Sequence, residues 1–166
     1  MKEIIISRIK RKRQILFDRD DDIMIELSMI INDMSKEAVV SWAIEMAEES
    51  KRILAVRYPF DDRPQRAIEL TKLWAKGELK MPFVKGAIID CHAMAKDLDS
   101  LSDIARCHAI GQACSAMHTK RHAIGYPLYD LTALIRDNGT DDCDTLIKRR
   151  VAHYKERLIY WKEYKA

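Results

Sequence analysis

Residues 107–122 read CHAIGQACSAMHTKRH, and no Asp, Glu, Lys or Arg stands between Cys107 and Thr119 in a chain that is 33% charged. Gly, Ala, Cys and Ser fill the stretch, with His108, His118 and His122 set among them. At about 100° per residue, Cys107, Gly111, Cys114, His118 and His122 share one arc and His108 lies at its edge. A helix so small-sided and so poor in charge has no obvious solvent face, which places it inside a helical bundle with close neighbours. Gly in a helix interior costs about 1 kcal/mol against Ala, so Gly111 is expected where another helix crosses. Buried imidazoles need partners, because an unpaired polar group out of water costs roughly 1–3 kcal/mol. His92, Cys107, His108, Cys114, His118 and His122 are therefore read as one buried polar cluster, with the imidazoles neutral at pH 7.

The preceding segment, Phe83 to Ala95, is equally poor in charge and carries Gly86, Ala87, Ala93 and Ala95. It holds a Cys-His pair, Cys91-His92, that matches Cys107-His108. Asp97 to Ser102 is a polar break in which Ser100 or Ser102 can cap a helix. The expectation is an antiparallel hairpin of residues 81–97 and 103–122 at the centre of the fold. The two Cys-His pairs then lie at one height, with one member of each facing the other helix.

Outward from this hairpin the pattern stays helical. Ile23 to Met34 is apolar. Ser35 caps a helix from Lys36 to about Arg57, which ends before Tyr58-Pro59. Asp62 and Gln65 have capping-box spacing and Pro64 suits a first turn, so a helix runs from there to about Lys76, where Gly77 closes it. Another covers about Pro127 to Arg136. Thr140 or Asp141 caps a last one that runs to about Tyr164. Residues 1–17 fit a short helix or a strand equally well. Trp42, Trp74 and Trp161 sit among apolar residues at helical spacing and read as core anchors. The fold class is all-α, a single-domain multi-helix bundle over 1–166. Residues 1–34 form an N-terminal extension to a bundle of residues 35–166.

Composition narrows the function. The chain has 166 residues, 48% of them hydrophobic, with a net charge of +3, five Gly, four Pro and four Cys. No apolar run approaches the roughly 20 residues of a membrane span. The N-terminus lacks the pattern of a signal peptide, and the four scattered Cys read as reduced cytosolic thiols, so the expected location is cytoplasmic. The small net charge argues against nucleic acid. The basic run around Arg11 is followed at once by Asp18, Asp20, Asp21 and Asp22, a self-compensating face. His118 and His122 at i, i+4 could chelate a metal with Cys107 or Cys114. Against that, the chain has no Cys-x-x-Cys, His-Glu-x-x-His or Glu-x-x-His. No catalytic residue, cofactor or metal is assigned.

Two stretches together resemble a known family. One is Asp61-Asp62-Arg63-Pro64-Gln65-Arg66-Ala67-Ile68-Glu69 continuing to Leu73-Trp74-Ala75-Lys76-Gly77-Glu78. The other is the pair of small-residue helices, in which His92, His108, His118 and His122 fall on the family's histidine pattern. They resemble bacterial immunity proteins, the immunity-protein-five-like group of polymorphic toxin systems, over about residues 36–136. The sequence differs in having Gln65 where Arg is common, Cys beside His92 and His108, and an added N-terminal segment. The resemblance implies a non-enzymatic protein that binds and neutralises a cognate toxin. Asp62, Arg63, Arg66 and Glu69 are candidate contacts, beside a bland reading as a capped helix start with an Arg66–Glu69 pair. The acidic stretches Asp18–Asp22 and Asp137–Asp144, with Asp137, Asp141, Asp142 and Asp144, are the expected surface for a basic partner. The alternative is a metal-binding or metal-dependent helical enzyme built on the histidines.

Overall fold

Ser35 takes its expected place: its hydroxyl accepts from the Ala38 amide at 3.1 Å and starts a helix that runs to Arg57. This computed structural model describes residues 1–165, and among them there are eight α-helices, two 3-10 turns and no strand. The helices are α1 Lys2–Lys10, α2 Asp22–Asn32, α3 Lys36–Arg57, α4 Arg63–Ala75, α5 Met81–Met94, α6 Leu101–Ser115, α7 Gly125–Asn138 and α8 Cys143–Tyr164. The turns are Ala95–Asp97, after α5, and Lys120–Ile124, before α7.

One helix organises the rest. Ser102, Asp103, Ala105, Arg106, Cys107, Ala109, Ile110, Gly111, Ala113 and Cys114 are all buried, so α6 buries nearly its whole circumference. Its most extensive neighbour is α7, followed by α3, with α5 and α4 on its remaining sides. This corrects the expected central hairpin: α6 is central, whereas α5 lies on the outside. On α5 only Val84, Ala87, Ile88, Cys91 and Met94 are buried, a stripe at helical spacing, while Phe83, Gly86 and Ile89 face out.

The second correction concerns the end of α6. The helix stops at Ser115, seven residues before His122. Ser115 turns its hydroxyl back onto the Gly111 carbonyl at 2.8 Å, a bond that competes with the helix ladder. Thr119 is extended. Lys120 then docks its ammonium on the carbonyls of Asn32 and Met34 at 2.6 and 2.8 Å, at the end of α2. These contacts draw the chain off the helix axis before α7 begins at Gly125. A Cβ on Gly125 would lie 2.4 Å from the Gln112 side chain, so α6 and α7 approach closely there.

Around this centre, α3 and α8 supply the large apolar residues. Ile147, Val151, Tyr154 and Leu158 form one buried stripe on α8. Trp42 is fully buried between Tyr126 and Tyr154, each ring edge-on at 6.2 Å. Trp74 and Trp161 are only partly buried against the same core.

Residues 1–34 are woven into that core. The undecided N-terminal segment is helix α1, and Ile5, Leu16 and Phe17 are buried. The Leu16 amide donates to Thr132 Oγ1 at 3.0 Å, and Arg136 bonds the Arg13 carbonyl at 2.8 Å. The adjacent charge runs do compensate one another. Arg8 forks onto Asp21 at 2.6 and 2.7 Å, and Arg13 forks onto Asp18 at 2.9 and 2.6 Å.

Candidate functional site

The two Cys-His pairs meet as expected in height, but both members of the first pair touch α6. Cys91 Sγ points at the Cys107 carbonyl at 3.6 Å. His92 and His108 bring their Nδ1 atoms to 2.8 Å, with ring centroids 5.1 Å apart. At that distance one nitrogen donates and the other accepts, so the pair holds a single proton between its facing atoms. Tyr129 of α7 lies against the other side of His108, 5.3 Å between centroids. Gly111 makes room: a Cβ there would stand 2.3 Å from His92 Nε2. Burial, reinforced by His108, pulls His92 down to about 4, and burial lowers His108 as well.

His118 and His122 do not join this cluster, because the helix that was to carry them ends at Ser115. Both are exposed. His118 Nδ1 rests on Met81 Sδ at 3.0 Å. The one buried cluster of four histidines thus resolves into a half-buried pair, His92 and His108, and two surface rings. Cys107 and Cys114 are fully buried, and burial pushes both thiols up to about 12. They are un-ionised near pH 7, and the thiolate is the form that attacks or ligates. Among the described residues no three His, Cys, Asp or Glu side chains come together as a set that could hold a metal ion.

Two ionic networks flank α6, and of their members the sequence reading singled out Asp137 alone. In the first, Asp103 accepts from Arg57 at 2.5 Å, from Tyr58 at 2.9 Å and from Arg106 at 2.9 Å, and Arg106 continues to Asp137. Asp103 and Arg106 are buried. In the second, Asp130 accepts from Arg150 Nε at 2.7 Å, from Ser50 at 3.3 Å and from Tyr154. Arg150 also reaches Glu49 at 2.6 Å, and Glu49 meets His153 at 2.8 Å. Asp130 lies within the helix expected at 127–136, where a lone carboxylate among apolar residues was the available signal. Each network pairs its charges and ties helices together, which a buried charge requires.

The candidate contact residues are dispersed. Asp137 is bonded to Arg106, and Asp144 to the amide of Lys2 at 3.0 Å. Asp141 and Asp142 are exposed. The expected cap of α8 by Thr140 or Asp141 is not made: Asp142 stands at the cap position, without a side-chain cap bond. At the start of α4 the capping box does not form either. Asp61, not Asp62, takes the Arg63 amide at 3.2 Å and grips its guanidinium at 2.6–3.2 Å, and Arg63 also holds Asp97 at 2.8 Å. Glu69 pairs with Gln65 rather than Arg66, the i, i+4 choice. Asp62, Arg66, Glu69 and Lys76 remain exposed. Their spacing of four, three and seven puts them on one outer face of α4.

The Trp-x-x-Gly end of α4 has a local cause. Gly77 adopts φ +76°, and the amides of Gly77 and Glu78 return to the carbonyls of Trp74 and Leu73 at 2.8 and 2.9 Å. Trp74 borders a groove of about 550 Å3 between the first turns of α3 and the end of α4. Val40 and Ile44 share its lining with Trp74, and Lys36, Lys72 and Lys76 bring ammonium groups to it. Lys36 Nζ lies 5.4 Å from the centre of the Trp74 ring.

No helix among the described residues is long and apolar enough to cross a membrane. No curated protein and no solved structure matches the chain significantly. A family model does: the one described as Imm-5 like putative immunity protein matches residues 29–157, from α2 into α8. That span takes in the Asp-Arg-Pro start and Trp-x-x-Gly end of α4 together with the His92–His108 crossing, and the chain belongs to this family.

Proposed function

We propose that this chain is a cytoplasmic, non-enzymatic immunity protein that neutralises a cognate toxin by covering it with a rigid helical surface. The observation that carries the reading is membership of the immunity family across three-quarters of the length, residues 29–157 of 166. The chemistry of the interior agrees with a binding role. Its carboxylates are paired with arginines, its thiols are un-ionised, and its one imidazole pair is hydrogen-bonded to itself. The outer face of α4, with Asp62, Arg66 and Glu69, is the preferred contact surface. Val56 and Phe60 stand exposed just before it, apolar area of the kind a partner buries. The exposed Asp141 and Asp142 lie outside this face and are secondary contacts.

Co-expression tests the reading. A toxin domain encoded beside this gene should arrest growth alone and be harmless when this chain is present, with the two proteins co-purifying as a complex. A toxin domain that stays lethal and elutes separately from this chain would overturn the proposal.

A further inference from the structure

We propose that the groove between α3 and the end of α4 is the anchor pocket for an acidic segment of the protein partner, one in which an apolar side chain is flanked by carboxylates. The inference rests on the immunity reading for the identity of the partner, while the chemistry of the pocket stands on its own.

The groove joins apolar area and basic side chains in one cavity. At about 550 Å3 it has room for a large side chain and its neighbours, and Val40, Ile44 and Trp74 offer apolar contact. Lys36, Lys72, Lys76 and Lys165 surround that apolar area, with Glu37 as the opposing charge in the lining. Lys72 is bonded to Glu48 at 2.5 Å, a carboxylate it shares with Lys51. Lys36 meets a ring and the His118 carbonyl, neither of which cancels its charge. The start of α3 adds the partial positive charge of a helix N-terminus. By contrast, half of the acids in the runs expected to attract a basic partner are paired within the fold, Asp18 and Asp21 with Arg8 and Arg13, Asp137 with Arg106 and Asp144 with the N-terminus, while Asp20, Asp22, Asp141 and Asp142 are exposed. Uncompensated charge next to apolar surface is positive here, and it calls for a partner of the opposite sign.

Carboxylate suits the site better than a nucleotide. The cations are lysines, point charges without the bidentate fork that arginine offers phosphate. Lys36 already covers a face of Trp74, where a base would stack. Lys76 lies on the same α4 face as Asp62, Arg66 and Glu69, so a partner laid along α4 reaches the groove at one end.

The test is a titration of isotope-labelled full-length protein, followed by amide NMR shifts. The probes are a short peptide with a Leu-Phe pair between flanking Glu residues, the same peptide with Lys in place of Glu, and ATP. The acidic peptide should shift amides of Lys36–Ile44 and Lys72–Gly77, and the Lys peptide should not. Lys36→Glu combined with Lys76→Glu should weaken the acidic peptide by at least about tenfold, on the scale of two lost rim charge pairs. Both positions are exposed, and Glu is favourable in the first turn of α3, so the variant folds. ATP shifting these amides in place of the acidic peptide, or no probe shifting them, overturns the proposal. The toxin domain separates the two readings. Unchanged toxin binding by the double variant defeats the groove and leaves the immunity function standing. A toxin that wild type ignores, with the acidic peptide still bound, defeats the immunity function and leaves the groove.

Discussion

Helices α5 and α6 look like twins in composition and behave as opposites. Each is rich in small residues, each carries a Cys-His pair, and each has an interior glycine. Gly111 on α6 has the His92 ring pressed against it, whereas a Cβ on Gly86 of α5 would meet nothing within 4 Å. The charges differ in the same way. Asp103 and Arg106 of α6 are buried and bonded, while Lys85 and Asp90 of α5 stand in solvent. Small side chains permit close approach but do not cause it. α6 is enclosed because α7, α3, α5 and α4 all need a surface to bury, and α5 has partners on one side only.

Substitutions at matched positions sharpen the contrast. The largest effect should come from Asp103→Ala, which strips a partner from Arg57, Tyr58 and the buried Arg106 at once. Losing one side of a buried pair costs about 3–5 kcal/mol, and the Asp137 bond that Arg106 keeps puts the cost near the lower end. Asp90→Ala should stay within about 0.5 kcal/mol of wild type. Urea unfolding measures both, and equal midpoints would erase the distinction between the helices. Next is Gly111→Leu, which must displace His92 and break its bond to His108. Overpacking of this kind costs about 1–3 kcal/mol, read as a lower melting temperature. Gln112→Leu should also destabilise, since Gln112 fills the space over Gly125.

The imidazole pair sets a pH window. His92 is pulled from an ordinary 6.5 to about 4 by burial and by His108. Above about 6.5 both folded and unfolded chains leave it neutral, and its contribution to stability is intact. Between about 6.5 and 4 the unfolded chain binds a proton that the folded chain refuses, so stability falls as pH falls. Melting temperatures from pH 7.5 to 4.5 should drop less steeply in His92→Asn than in wild type. Identical slopes would show that the pair does not control this window. The smallest effect should be a gain: Gly86→Ala, with open space around it, should stabilise α5 by about 0.5–1 kcal/mol through helix propensity alone.

Much of this was open to a reader of residues alone. Helical periodicity, the Ser35 and Ser100 caps, Pro64 in a first turn and Gly77 at a helix end are local signals, and the chain obeys them because each is satisfied within a few residues. The close crossing at Gly111 was legible for a similar reason: a glycine inside a helix is costly unless something fills the space. Asp62, Thr140 and Asp141 as caps failed where a competing acceptor, Asp61, or a different turn was within equal reach. The Trp74 groove was invisible as a site, because its lysines come from the start of α3, the end of α4 and, past α8, Lys165, far apart in sequence, and only packing brings them together.

By itself the sequence determined the helical class, most helix boundaries, the matching height of the two Cys-His pairs and the family. Tertiary structure decided which of two similar helices lies at the centre, where α6 stops, which acids are spent on arginines, and where free positive charge meets apolar surface. The division follows the range of the forces. Caps, turns and propensities act over one or two turns of chain and are written in adjacent residues. Burial and charge pairing depend on what arrives from elsewhere, as Lys120 arrives at the end of α2 and turns the chain away from the helix that His118 and His122 would otherwise have extended.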